Sequence, residues 1–302
     1  MTVLITSQSA TAPVRAEPKA VLELFKPVTW FPPMWAFACG AISAGTSAPA
    51  WKIGLGILVA GPLVCGTSQA VNDWFDRHVD AVNEPHRPIP SGRLPGRTGL
   101  ALAVAGTGVA AAAGALLGTW GWAATLLALL LAWGYSAPPF RFKANGWVGN
   151  AAVGFSYEGL AWVTGAAVLL GGALPPAAVL LLAALYSIGA HGIMTLNDYK
   201  SQEGDRAHGV RSLPVLLGPA GASRVACAVM AGAQLVVVVL LLDWGHPVAA
   251  LAVAALVACQ GALMLGFLRS PDPAMALRLS AFGVPFYVSG MMIAAFAVRG
   301  GV

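Results

Sequence analysis

The sequence predicts an all-α polytopic membrane protein, a bundle of about nine transmembrane helices with two related acidic motifs at one rim. Three observations predict it. Hydrophobic residues make up 58% of the 302-residue chain and charged residues only 10%, against about 25% charged in a soluble domain. Mean hydropathy is +0.74. The apolar runs are roughly 20 residues long, enough to cross a bilayer as helices, whereas an outer-membrane barrel shows alternating segments of ~10 residues.

Residues 1–27 read as an N-terminal tail, whose residues 1–20 are polar and lack the apolar stretch and cleavage site of a removable signal. Residues 28–302 read as a single transmembrane domain. Spans are expected at 28–47, 51–71, 99–118, 120–138, 147–171, 175–196, 217–242, 247–268 and 278–298. Proline and small polar residues mark the breaks: Ser47-Ala48-Pro49, Pro138-Pro139, Pro175-Pro176 and Ser270-Pro271-Asp272-Pro273. Many spans are rich in Gly and Ala, which lets helices approach closely in lipid. Cys39, Cys65, Cys227 and Cys259 stand singly in apolar runs, without zinc spacing or a disulfide framework.

Nine spans put the two ends on opposite sides. The N-terminal tail and the loops on its side then carry 15 of the 17 Lys and Arg residues, leaving only Lys52 and Arg299 opposite. The positive-inside rule places the N-terminus and those loops in the cytoplasm. This placement also accounts for the net charge of +5, so no nucleic-acid partner is implied.

The stretch Asn72–Arg93, NDWFDRHVDAVNEPHRPIPSGR, concentrates Asp73, Asp76, Asp80 and Glu84 beside Arg77, Arg87 and Arg93. Asn72, Asp76 and Asp80 recur at i, i+4 and i+8, which puts them on one helix face. Oxygen donors so placed suit a hard divalent cation such as Mg²⁺, which takes one or two carboxylates, keeps waters and completes its shell with substrate phosphates. The pattern echoes further on. Asn197-Asp198 ends the sixth span as Asn72-Asp73 ends the second, and each is followed by basic residues and a proline. A parallel repeat sets both acidic clusters on the same side. Cations bridging them to a diphosphate would relieve their repulsion. Arg77, Arg141, Lys143, Lys200 and Arg206 lie on that side and match phosphate oxygens. The apolar bundle leaves room for a long hydrocarbon tail, and His191 lies within the sixth span below Asp198.

NDWFDRHVD resembles the NDxxDxxxD motif of the UbiA superfamily of intramembrane prenyltransferases, and the resemblance runs through the whole chain. NEPHRPIPSG after the first motif and NDYKSQEGDRAHGVRSLPV at the second resemble its chlorophyll and bacteriochlorophyll synthase branch. The resemblance implies Mg²⁺ as cofactor and a bacterial inner membrane, cytoplasmic or photosynthetic. It implies esterification of a bacteriochlorophyllide propionate by geranylgeranyl or phytyl diphosphate. Asn72, Asp76 and Asp80 carry over as metal ligands, and Tyr135, Arg141 and Lys143 as a diphosphate-contacting element. Asp76, Arg77, Lys143 and Asp205 are expected to act on the reacting groups, with Lys200, Arg206 and His191 binding substrate. The second motif departs from the usual DxxxD, because Gln202 stands four residues after Asp198. Asp198 and Asp205, seven apart, are expected on one helical face as the second metal pair, with Glu203 as a third carboxylate. Two other readings stay open: prenyl transfer to an aromatic ring with His191 as base, and a transporter. Against transport, most ionisable residues gather at one rim, whereas a transport path needs polar groups at the midplane.

Overall fold

The computed structural model describes residues 16–47 and 49–299. Among them there are eleven longer helices, two 3-10 turns at Pro27–Thr29 and Phe142–Ala144, and no strand. The longer helices are α1 Pro18–Phe25, α2 Phe31–Ser43, α3 Ala50–Val82, α4 Thr98–Ala115, α5 Thr119–Ser136, α6 Gly146–Leu169, α7 Ala177–Asp198, α8 Gln202–Ala207, α9 Leu213–Asp243, α10 Pro247–Arg269 and α11 Pro273–Ala297. Seven of them, α3, α4, α6, α7, α9, α10 and α11, are long and apolar enough to cross a membrane. The expected spans at 28–47 and 120–138 fall on α2 and α5, which do not meet that measure, so the count of nine is approximate.

The last part of the expected tail is not free. Helix α1 buries Ala20 and Leu24 completely against Ala70, Val71, Leu94 and Ala103. Lys26 then turns the chain through the left-handed region at φ 45°. Two helices are interrupted by π-helical turns, Val59–Cys65 in α3 and Phe155–Leu160 in α6. Pro62 lies inside the first and removes a backbone donor there. Helix α9 bends at Gly218, whose φ of 70° is reached without a Cβ penalty, followed by Pro219.

In hydrocarbon there is no hydrophobic drive between helices, so close backbone approach and hydrogen bonds hold the bundle. A Cβ on Gly40 would lie 1.9 Å from the Trp162 carbonyl oxygen, and one on Gly165 2.2 Å from that of Phe37. Helices α2 and α6 therefore touch backbone to backbone. The Trp162 indole donates to Ser43 Oγ at 3.1 Å and that of Trp35 to the Val288 carbonyl at 2.8 Å. Trp162 stacks on Tyr186 at 5.7 Å, and Tyr186 meets Tyr287 edge-on at 5.2 Å. Gln234 donates to Gln260, which donates to the Gly283 carbonyl, joining α9, α10 and α11.

Gly40→Val or Gly165→Val is expected to cost about 3 kcal/mol or more through overpacking. Most of the folded peak in detergent size-exclusion chromatography should be lost. Gly108→Ala, whose added Cβ meets nothing within 4 Å, should leave the thermal midpoint unchanged or raised.

Candidate active site

The end of α3 carries the first motif. Asn72, Asp76 and Asp80 share one face there, as the spacing predicts, and Asn72 Nδ2 donates to Asp76 Oδ2 at 3.0 Å and to Ser136 Oγ at 3.3 Å. Asp76 pairs with the Lys143 ammonium. Burial pulls that ammonium below its ordinary pKa, with the Asp76 carboxylate working against the drop. Asp80 is nearly buried and accepts from Arg87 Nη1 at 2.8 Å. Arg87 also reaches Asp73 at 3.3 Å and Glu84 at 2.6 Å. Burial works to raise Glu84, but its bond to Arg87 wins and holds it below the usual carboxylate value. Lys26 completes the cluster by donating to Asp73 at 2.6 Å.

Lys143 is placed by a tight connection. The chain leaves α5 through Pro138-Pro139, a cis bond, and passes through Arg141 at φ 40°. Asn145 caps α6 by accepting from the Trp147 and Val148 amides. A two-bond bridge then ties this turn to the second motif's loop: the Gly146 amide donates to the Arg211 carbonyl at 2.9 Å and the Arg211 amide to the Ala144 carbonyl at 3.0 Å. A Cβ on Gly146 would meet the Leu213 amide nitrogen at 2.7 Å, so the close approach requires glycine.

The second motif is built differently from the expectation. Asp198 and Asp205 do not share a helix, because α7 ends at Asp198 and α8 begins only at Gln202. A turn through Tyr199–Ser201 brings the carboxylates into each other's electrostatic reach instead, and both into that of Tyr135. Asp205 also feels Asp76 across the rim, and burial raises its pKa above the usual carboxylate value. Asn150 of α6 donates to Asp198 Oδ2 at 3.1 Å, and Ser201 Oγ to Asp205 Oδ2 at 3.1 Å. Gln202 spends its amide on the Tyr199 carbonyl at 3.0 Å, while Glu203 is exposed.

Beneath the rim lies a cavity of about 600 Å³, within the size range of ligand sites. Asn72, Tyr135, Asn197 and Lys200 line its mouth, and Phe37, Leu117, Ala128 and Leu131 line its depth. Residues of both motifs thus border one cavity. Of the expected site residues, Asn72, Tyr135 and Lys200 line it, Asp76, Asp80, Lys143, Asp198 and Asp205 belong to the rim, and Arg77, Arg206 and His191 are turned elsewhere. Arg77 donates to the Trp74 carbonyl at 2.7 Å and lies over the Trp74 ring at 4.3 Å; one position past Asp76, it is rotated about 100° off the motif face. Arg206 is exposed. His191 sits against Trp147 at 5.5 Å and is not among the cavity's lining residues. Arg141 is half-buried beside Lys143.

Sequence reasoning missed Lys26, Asn150, Tyr157 and Glu158. The last three are polar residues inside an apolar span, which is itself a signal. Nothing in the sequence pairs Lys26 with Asp73.

The UbiA prenyltransferase family matches residues 33–294. The chain belongs to that family. It is 54% identical over 286 residues to the bacteriochlorophyll synthase 33 kDa chain of Cereibacter sphaeroides, with 94% of each chain covered. With the chloroplastic chlorophyll synthase of Oryza sativa subsp. japonica it shares 38% identity, over 92% of this chain and 76% of that one. A UbiA homolog from Archaeoglobus fulgidus, solved bound to GPP and Mg²⁺, has the same fold: the TM-score is 0.72 at 21% identity, over 93% of this chain and 99% of that one.

Arg87→Gln leaves Asp73 and Asp80 without their shared partner and should cost about 3 kcal/mol. Glu84→Gln, at a half-exposed pair, should cost no more than about 1 kcal/mol. Thermal unfolding in detergent separates the two.

Proposed function

We propose that this prenyltransferase esterifies the propionate of bacteriochlorophyllide, using geranylgeranyl or phytyl diphosphate as donor and Mg²⁺ as cofactor. The identity to the bacteriochlorophyll synthase chain supports the acceptor. The observation that carries the chemistry is the oxygen-rich rim directly above a largely apolar cavity, with Asn72, Tyr135, Asn197 and Lys200 belonging to both. A lipid diphosphate matches this division, head at the rim and tail below.

The chemistry of the donors suits the ion, although among the described residues no three His, Cys, Asp or Glu side chains gather around one point that could hold a metal. Asn72, Asp76, Asp80, Asp198 and Asp205 are hard oxygen ligands from two motifs, and Mg²⁺ needs only one or two carboxylates beside water and phosphate oxygens. When bound, Mg²⁺ would offset the charge that builds on the departing diphosphate. The chain's own groups do the rest. Lys143, held at the rim by Asp76, offers a partly desolvated ammonium to the diphosphate, and Arg141 stands next to it. Tyr135 walls the mouth. The apolar lining below keeps water from an allylic C1 that becomes cation-like as its bond to the diphosphate oxygen breaks. The acceptor's carboxylate oxygen forms the new bond to C1, and the electron pair of the old bond leaves with diphosphate. A propionic acid resembles a Glu side chain, pKa ~4.3, and is already ionised at neutral pH. No general base is needed, which agrees with His191 lying away from the cavity.

The same reading places the N-terminus and the rim loops in the cytoplasm. In intact cells, cysteine at position 52 should react with an impermeant reagent and cysteine at position 87 only after permeabilisation. Labelling at 87 in sealed cells contradicts this orientation.

Asp76→Asn should abolish turnover in a protein that still folds and inserts. Asp205→Asn should lower turnover by orders of magnitude, and Gln202→Ala far less, in an Mg²⁺ titration with bacteriochlorophyllide and labelled geranylgeranyl diphosphate. Loss of activity in Gln202→Ala with activity kept in Asp205→Asn would remove Asp205 from the metal site.

A further inference from the structure

Glu158 is a carboxyl in the middle of an apolar helix. It belongs to α6, which crosses the membrane from Gly146 to Leu169. It is 6% exposed, yet it lines the cavity. Among the described residues no ion pair or hydrogen bond reaches its carboxyl. Cys39 and Tyr287 stand near it, but the Tyr287 hydroxyl donates to the Tyr186 carbonyl instead. An isolated charge is not sustained in such surroundings, so the group is a neutral acid with one O–H to donate.

The local backbone aims it. Glu158 lies in the π-helical turn Phe155–Leu160, where one extra residue re-orients the side chains around it. The preceding residue fixes the turn: the Tyr157 hydroxyl meets Cys65 Sγ at 3.2 Å, Ser68 Oγ at 3.2 Å and Gln69 Nε2 at 3.3 Å. Depth follows from the neighbouring helix. A Cβ on Gly159 would meet Ser187 Oγ, and Ser187 precedes Asp198 by eleven residues on α7, roughly 16 Å below the rim. A tail whose diphosphate sits at the rim therefore passes Glu158 with its distal isoprene units.

A hydrocarbon tail offers one kind of acceptor at that depth, the π face of a double bond. Geranylgeranyl has such bonds in its distal units. Phytyl is saturated there and shares only the allylic double bond at the reacting end. We propose that Glu158 is a specificity-determining residue that donates to a distal double bond and biases the enzyme toward the unsaturated tail. The proposal rests on the donor assignment under Proposed function.

The test uses the full-length enzyme in lipid nanodiscs with saturating bacteriochlorophyllide, comparing kcat/KM for geranylgeranyl and phytyl diphosphates. Weak π-acceptor bonds correspond to about a twofold to fivefold effect. Glu158→Met, apolar and of similar length, should lower the geranylgeranyl-to-phytyl ratio by about threefold, mainly through KM. Glu158→Gln keeps an N–H donor and should leave the ratio within about twofold of wild type. An unchanged ratio in Glu158→Met overturns the proposal alone. A wild type that esterifies neither donor overturns the parent reading and this one with it. If Glu158→Met is not recovered folded, wild type is titrated with a geranylgeranyl diphosphate analogue saturated only in its distal units. A KM weaker by about threefold supports the proposal, and an equal KM overturns it.

Discussion

Arg87 answers three carboxylates at once, and the architecture of the rim follows from that. The end of α3 sets Asp73, Asp76, Asp80 and Glu84 within a few turns of one helix. Like charges that close, at the edge of a low-dielectric slab, repel strongly unless cations come from elsewhere. The helix cannot supply them itself: Arg77, its own arginine, points to Trp74. The loop after α3 therefore folds back so that Arg87 reaches Asp73, Asp80 and Glu84. Helix α1 is drawn in with it. Lys26 meets Asp73, and Arg93 meets Glu23 at 2.7 Å. What looks like a polar tail in the sequence is held down by the charge it helps to neutralise.

Asp76 is answered differently. Its partner Lys143 comes from the α5–α6 turn, and that turn is fastened to the second motif's loop by the Ala144–Arg211 and Gly146–Arg211 backbone bonds. One strap thus couples the two halves of the repeat at the level where a diphosphate would sit. Asp205, within electrostatic reach of both Asp76 and Asp198, shows the same convergence from the side-chain end. A rim organised this way balances each carboxylate of the first motif with a cation brought from another segment.

The fold class was legible because run length and charge depletion are set by the bilayer itself. The first motif was legible because Asn72, Asp76 and Asp80 lie on an uninterrupted helix, where spacing translates directly into direction. The second motif was not, because that translation holds only while the helix continues. Asp198 and Asp205 meet through a turn at Tyr199–Ser201, closed by the Tyr199 hydroxyl donating to the Pro219 carbonyl at the α9 bend. A register read along one helix cannot anticipate a contact made around a corner. His191 stands below Asp198, and the face it occupies depends on the packing of α6 against α7, where Gly154 and Gly159 let the helices close.

The π-helical turns were invisible for a deeper reason: neither propensity nor hydropathy distinguishes them from α-helix. Yet both border the cavity. Val59, Ala60 and Val64 from one, and Ser156, Tyr157 and Glu158 from the other, all line it. An ordinary α-helix keeps its carbonyls bonded and its side chains on a fixed 3.6-residue repeat, so an apolar face stays apolar along its length. One extra residue shifts the phase, and side chains on either side of the turn face different ways. Tyr157 is then directed across to Cys65, Ser68 and Gln69 of α3, bonding the two interrupted helices to each other, while Glu158 is directed into the open space. The hydrogen bonds spent by Tyr157 keep the turn in place, and the turn in place keeps Glu158 unpartnered. In a bundle closed largely by glycines and hydrocarbon, a polar group left open in the cavity is set there by a backbone irregularity that also borders the cavity.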